Sequence, residues 1–243
     1  MRSLYTVPNR RLEYHASASP FRQGSYRALA ATANNFAREM HLDELAGLVG
    51  LDPLDLRLRN LDDERMTAAL RAAADRFGWS GPSPAPGHGH GIAGCFEKGS
   101  YVATCAEVSV DEAGAVRVER IVTAFDCGAI VNPDNLENQV VGATIQGLGG
   151  ALFEGIDFDD GVVRTDRPSL YRVPRFRDVP PIEAVLIDRR DQPSAGAGET
   201  PLVALAPAIG AAMASAGTRV RDLPLAWRGR PADGLPAGPG NDG

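Results

Sequence analysis

The run Ser194-Ala195-Gly196-Ala197-Gly198-Glu199-Thr200-Pro201 carries one charged side chain, the Glu199 carboxylate. Neither Gly196 nor Gly198 has a Cβ, so the backbone there can turn tightly and come close to a bulky ligand. Thr200 can serve as an N-cap and Pro201 fits the first helical position, where a missing N–H costs nothing. Glu199 is therefore expected near a helix mouth. Exposed N–H groups at such a mouth favour an anion, whereas burial among apolar groups favours the neutral acid. The chemistry open to a carboxylate placed this way is general-base catalysis. The spacing alone is also compatible with a solvated residue in a glycine-rich turn.

Other side chains could do chemistry. Arg27, in the loop-like stretch Phe21-Arg22-Gln23-Gly24-Ser25-Tyr26-Arg27-Ala28-Leu29-Ala30, offers a planar guanidinium that can hold phosphate or carboxylate in a bidentate manner, or pair with a neighbouring acid. His41, Asp43 and Glu44 fall on different faces of a helix, so no metal site is expected from them. His88 and His90 alternate with glycine; two imidazoles without a third ligand make a weak site. Cys95, Cys105 and Cys127 lie in apolar or alternating stretches without CxxC spacing and read as reduced core residues.

These residues need elements to position them. Phe36, Met40, Leu45, Leu48 and Val49 keep helical spacing from about Asn34 to Val49, closed by Gly50. Asp52-Pro53 starts a second short helix, and a third runs over about 64–77 before Gly78-Trp79. Residues 80–91, rich in Pro, Gly and His, read as a flexible linker. Beyond it the period changes to two, predicting a β-hairpin of Tyr101–Val110 and Ala115–Phe125. Asn132-Pro133 opens a helix over about 135–153 whose second half is crowded with glycine. Since each glycine costs about 0.8–1 kcal/mol against alanine in a helix, something must lie close against it. Gln139 and Gln146, seven apart, share a face towards that neighbour. Ile182–Ile187 reads as a short strand, and the last helix, with Ile209 and Met213, is broken or restarted at Pro207. The fold class is α+β, helices with a mixed or antiparallel sheet. Its divisions are a helical segment 1–79, the linker 80–91, an α/β portion 92–227 and a Gly/Pro-rich disordered tail 228–243.

Composition narrows the function. The 44% hydrophobic and 23% charged fractions over 243 residues describe a chain able to bury a sizeable core rather than a disordered one. A net charge of -6 without a Lys/Arg run argues against nucleic acid or an anionic membrane as partner. A small-molecule substrate and protein partners remain. No 18-residue apolar run and no signal-peptide pattern occur, so a cytoplasmic location without a membrane span is the expectation. The abrupt start of the chain hints at sequence upstream.

Taken together, the segments from about Phe21 to Leu225 resemble the carboxyl-terminal part of the molybdopterin-binding large subunit of the molybdenum hydroxylases, the xanthine dehydrogenase and aldehyde oxidase family, in an arrangement similar to the isoquinoline oxidoreductase beta subunits. The resemblance rests on Tyr26-Arg27 followed by Asn35-Phe36-Ala37-Arg38-Glu39 and Asp43-Glu44-Leu45-Ala46; Asp52-Pro53-Leu54; Asp126-Cys127-Gly128 with Asn132-Pro133; Gln146-Gly147-Leu148-Gly149; Gly196-x-Gly198-Glu199; and the close at Gly217 to Leu225.

The resemblance implies hydroxylation of a carbon centre, in an aldehyde or N-heterocycle, with water as the oxygen source. A molybdenum-pterin, in the cytosine dinucleotide form, would be the cofactor, and electrons would leave through iron-sulfur clusters on a partner chain. By the same resemblance Glu199 is the catalytic base; Gly196, Ala197 and Gly198 present N–H groups to the cofactor; Arg27 lies near the molybdenum pocket; and Gln146 and Gly147 pack close to the pterin dinucleotide. The Gly-Gly-Phe-Gly and Glu-Met-Gly-Gln-Gly motifs of the family are absent, so an amino-terminal half of the molybdopterin subunit and an iron-sulfur subunit are the implied partners. Two other readings stand beside this one. One is a non-catalytic fragment or assembly module that keeps the fold without cofactor. The other is a carboxylate-dependent hydrolase using Glu199 with His88 or His90.

Overall fold

The computed structural model describes residues 3–16, 24–83 and 85–225. The expected tail at 228–243 and the beginning of the Arg27 loop at 21–23 lie outside them. Three helices come first: α1 (Ala30–Val49), α2 (Pro53–Arg59) and α3 (Glu64–Phe77). Their ends are set by local chemistry. Gly50 and Gly78 close α1 and α3 in the left-handed region, each returning its N–H to the last turn. Asp52 caps α2 by accepting from the Leu54 and Asp55 N–H groups at 2.8 and 3.1 Å, and Asp63 caps α3 through the Met66 N–H at 3.0 Å. α1 begins four residues earlier than its apolar spacing predicts.

Next come β1 (His88–Glu97), β2 (Ser100–Val110) and β3 (Val116–Asp126), an antiparallel meander. α4 (Pro133–Leu152) follows, capped by Asn132 through the Asn135 N–H at 3.0 Å. An excursion over 153–181 holds the short pair β4 (Phe158–Asp159) and β5 (Val162–Val163). The chain returns as β6 (Ile182–Leu186), parallel to β3 with Ile121 opposite Ile182, so the four-stranded sheet is mixed and ordered β1-β2-β3-β6. A 3-10 turn, Thr200–Leu202, leads into α5 (Leu205–Ser215), which starts two residues ahead of Pro207.

Alternation in β2 assigns the two faces of the sheet. Ala103 and Cys105 pack with Met66, Leu70 and Phe77 of α3. Val102, Ala106 and Val108 pack with α5, α4 and Phe36 and Met40 of α1. Both faces are covered, which is why β2 is almost continuously buried. Because α1 and α3 join the same cores as the strands, the expected boundary at 80–91 does not separate independent cores.

The linker expectation fails from His88 onward, where the chain is already β1. A Cβ on Gly89 would stand 1.8 Å from the Ala212 carbonyl oxygen, and one on Gly91 2.1 Å from that of Ala208. These glycines let the α5 backbone lie against the strand.

A buried ionic cluster ties the front of the chain to the sheet. Glu39 accepts from Arg57 Nε at 3.0 Å, the Tyr5 hydroxyl at 3.1 Å and the Gly94 N–H at 3.1 Å. Removing either member of the buried Glu39–Arg57 pair should cost about 3–5 kcal/mol. Among the described residues no helix is long and apolar enough to cross a membrane.

Candidate active site

The Asp126-Cys127-Gly128 motif lies at the end of β3, where a fully buried carboxylate organises the start of a loop. Asp126 accepts from Arg65 Nε at 3.1 Å and Nη2 at 2.5 Å, from Arg189 Nε at 3.1 Å and from the Gly128 N–H at 2.9 Å. Burial alone would raise its pKa, but these hydrogen bonds outweigh burial and hold the carboxyl below its usual range. Gly128 has φ 83°, and its missing side chain makes room for the Pro193 carbonyl. Backbone hydrogen bonds from Arg189 N to Gly128 O at 3.1 Å, Ala129 N to Gln192 O at 3.1 Å and Ala195 N to Cys127 O at 2.7 Å then lay residues 189–195 along the motif. The glycine bend starts from this support.

Three successive carbonyls of the bend are each held by a side chain from a different element. Ser100 Oγ, at the start of β2, donates to Gly196 O at 2.9 Å. Gln139 Nε2 of α4 donates to Ala197 O at 3.1 Å. Arg27 Nε, ahead of α1, donates to Gly198 O at 2.7 Å. With the carbonyls committed to protein, the N–H groups of Gly196, Ala197 and Gly198 have no acceptor among the described residues. No heavy atom lies within 4 Å of a Cβ built on Gly196 or Gly198. The bend therefore presents free donors and side-chain-free space together, which suits a large anionic ligand at short range.

Glu199 stands at the end of the bend with its side chain 30% exposed and ion-paired to Lys98, which is 50% exposed. Lys98 holds the Glu199 carboxyl below its usual range; burial opposes this, and the Ala28 N–H and Arg27 assist. Thr200 is the first residue of the 3-10 turn rather than an N-cap. Its hydroxyl donates to Glu97 O at 3.0 Å, which ties the 3-10 turn to the end of β1.

Most of the sequence-selected residues meet here. Arg27 Nη1 donates to Gln146 Oε1 at 2.6 Å, so Arg27 joins α4 to the bend and spends two donors on protein rather than on an anion. Gln139 and Gln146 do share one face, and it faces the bend. Gly147, expected close to a pterin dinucleotide, is buried, and a Cβ there would stand 3.1 Å from Leu202 Cβ and 3.2 Å from Leu205 Cδ2, so its small size serves packing against those residues. The close neighbours expected along α4 are protein at Gly147, Gly149 and Gly150, the last facing the Tyr26 hydroxyl at 2.4 Å from a built Cβ.

The histidines lie elsewhere. Glu97 meets Thr200, whereas His88 and His90 sit seven to nine residues back along β1. At ~3.3 Å per residue that is about 20–30 Å, and His90 packs edge-on to Phe77. A pairing of either with Glu199 is ruled out, and with it the hydrolase reading. Among the described residues no group of three or more His, Cys, Asp or Glu could hold a metal ion. The cysteines are buried as expected, and burial pushes the Cys95 thiol up to about 12. A separate open cleft of about 770 Å³, lined by Val116, Val118, Phe153, Leu170 and Arg172 among others, includes none of the site residues.

Sequence reasoning missed Lys98 and Ser100. The Lys98-Gly99 pair between two alternating runs could have marked a turn, but nothing local to it points to a loop about a hundred residues later.

A family model described as the molybdopterin cofactor-binding domain matches residues 13–180. The chain is 32% identical over 218 residues to a nicotinate dehydrogenase subunit of Pseudomonas putida, covering 82% of this chain and 18% of that one. It is 31% identical over 226 residues to the beta subunit of isoquinoline 1-oxidoreductase of Brevundimonas diminuta, covering 91% and 29%. The chain thus spans less than a third of these relatives. Among solved structures, the aldehyde oxidoreductase of Desulfovibrio desulfuricans aligns with a TM-score of 0.67 at 19% identity, covering 82% of this chain and 40% of that one. The enzyme from Desulfovibrio gigas aligns with 0.63 at 17%, covering 81% and 40%. At those identities the likeness is one of fold.

Proposed function

The chain belongs to the molybdopterin cofactor-binding domain family, and from that premise we propose that it is the carboxyl-terminal part of the molybdopterin-binding subunit of an oxidoreductase that hydroxylates an aldehyde or N-heterocycle carbon with oxygen from water. The reading is supported most by the bend itself, where open space and free N–H donors at Gly196, Ala197 and Gly198 stand directly before Glu199.

The residues present fit a large anionic cofactor. Gly196, Ala197 and Gly198 would hold a molybdenum-pterin, in the cytosine dinucleotide form, through backbone N–H groups, with Arg27 and Gln146 fixing the backbone they belong to. When bound, that group supplies the two-electron oxidation of the substrate carbon, and the electrons leave through iron-sulfur clusters on a partner chain. This chain's own part is proton transfer and positioning. Glu199, kept ionised by Lys98, accepts the proton of the attacking hydroxyl at a carboxylate oxygen. Ser100, Gln139 and Arg27 fix the bend so that this oxygen is in place before substrate arrives, which lowers the entropic part of the barrier. The amino-terminal half of the molybdopterin subunit would supply the opposite wall of the pocket, and the assembly would work in the cytoplasm.

Co-expression with an amino-terminal molybdopterin-binding chain and an iron-sulfur subunit tests this, with molybdenum content and turnover as readouts. Glu199→Gln is expected to abolish turnover while leaving molybdenum content nearly intact. Retention of turnover by that variant would overturn the base assignment, and a correctly assembled complex devoid of molybdenum would favour an assembly module.

A further inference from the structure

Four consecutive residues of the β1–β2 turn touch the bend. Glu97 O accepts from Thr200 Oγ1 at 3.0 Å. Lys98 pairs with Glu199. Gly99 lies so close to Ala195 that a built Cβ would stand 3.1 Å from the Ala195 Cβ. Ser100 Oγ donates to Gly196 O at 2.9 Å. The turn is also stiff. Glu97 pairs with Ser100 across the hairpin, leaving Lys98 and Gly99 as a two-residue loop with φ 52° and 84°, the doubly left-handed form that matches strand twist. Because strands extend from both sides of it, the Lys98 Cα has little freedom.

We propose that Lys98 is a positioning residue for Glu199, holding the carboxylate ionised and turned toward the bend from a rigid hairpin loop; this rests on Glu199 being the base. The groups facing the carboxylate are few. The segment ahead of α1 contributes the Ala28 N–H and the Arg27 guanidinium, but Arg27 is engaged with Gly198 O and Gln146. Lys98 is the cation in ion-pair contact with Glu199 among the described residues. A pair as exposed as this contributes little to folding, so its effect falls on the state and direction of the carboxylate. A protonated Glu199 loses the pair. Each proton it accepts is therefore passed on readily, and the acceptor form returns.

The test compares Lys98→Met with Lys98→Arg. In the full chain carrying carboxyl-labelled glutamate, with the Glu199 resonance assigned through Glu199→Gln, Lys98→Met should move the Glu199 titration to higher pH. Lys98→Arg should restore it, and thermal unfolding should change little in either. In the reconstituted complex, the acid limb of kcat/KM should move in the same direction with Lys98→Met, lowering activity on that limb about tenfold, and Lys98→Arg should bring the limb back. An unmoved titration, or a moved titration with an unmoved acid limb, overturns the proposal. If Lys98→Met fails to fold cooperatively, Lys98→Gln carries the same comparison. Should Glu199→Gln stay active while Lys98→Met still moves the titration, the base assignment falls and the hold of Lys98 on the carboxylate stands.

Discussion

The Pro193 carbonyl oxygen occupies the place beside Gly128 where a side chain would begin, 2.1 Å from a built Cβ. Gly128 also has φ 83°, so Gly128→Ala combines a steric clash with backbone strain. It is expected to cost about 2 kcal/mol or more, read as a lower denaturation midpoint. The displaced 189–195 segment should also lower turnover in the reconstituted complex, since it leads into the bend.

Two other glycines separate packing from ligand space. Gly147→Val pushes into Leu202 and Leu205 and should lose about 1–3 kcal/mol of stability. A Cβ at position 198 meets nothing within 4 Å, so Gly198→Val should change stability by no more than about 0.5 kcal/mol, yet it fills the space assigned to cofactor. Molybdenum content of the assembled complex should fall for Gly198→Val, and equal contents in the variant and the parent would remove Gly198 from the cofactor site.

Asp126 predicts an acid-side loss of stability. Its folded pKa lies below the usual carboxylate value, so its contribution is full above the unfolded value of about 3.9 and is lost as pH falls through the lower, folded value. Unfolding free energy should therefore drop with falling pH below about 4, and Asp126→Asn should flatten that part of the curve. At neutral pH the variant should be about 2 kcal/mol less stable, because Arg65 and Arg189 lose a shared counter-charge.

Thiol chemistry should be silent in the native chain. Cys95 and Cys105 are buried, and burial raises both thiols, Cys95 to about 12. Since the thiolate is the reactive form, modification by a disulfide reagent at pH 8 should run about a hundredfold or more slower than in denaturant. Fast labelling of either residue would contradict the packing of β1 and β2.

The sequence was most legible where structure is local. The Asp52-Pro53 start, the Gly50 and Gly78 ends and the hairpin about Asp111 to Gly114 are each written in a few neighbouring residues, and each occurs where expected. It misled where a residue type serves a distant partner. Gly89 and Gly91 look like linker glycines, yet they answer to Ala212 and Ala208. Thr200 has the form of a cap, but its hydroxyl goes to Glu97. Around the bend, motif order singles out Glu199, Arg27 and Gln146, which the fold brings near one another, whereas Lys98 is an ordinary lysine until the fold brings a carboxylate to it.

The tethers of the bend reach across 171 residues from Arg27, 96 from Ser100 and 58 from Gln139. Contacts so remote along the chain can close only after the meander, α4 and the returning strand have docked, since each loop must be ordered before its ends reward the ordering. The bend is thus assembled from segments that lie far apart in the sequence. A chain cut short before residue 200 would lack Leu202 to Met213, which fill the core against the sheet, so the bend would lose the support beneath it together with its tethers.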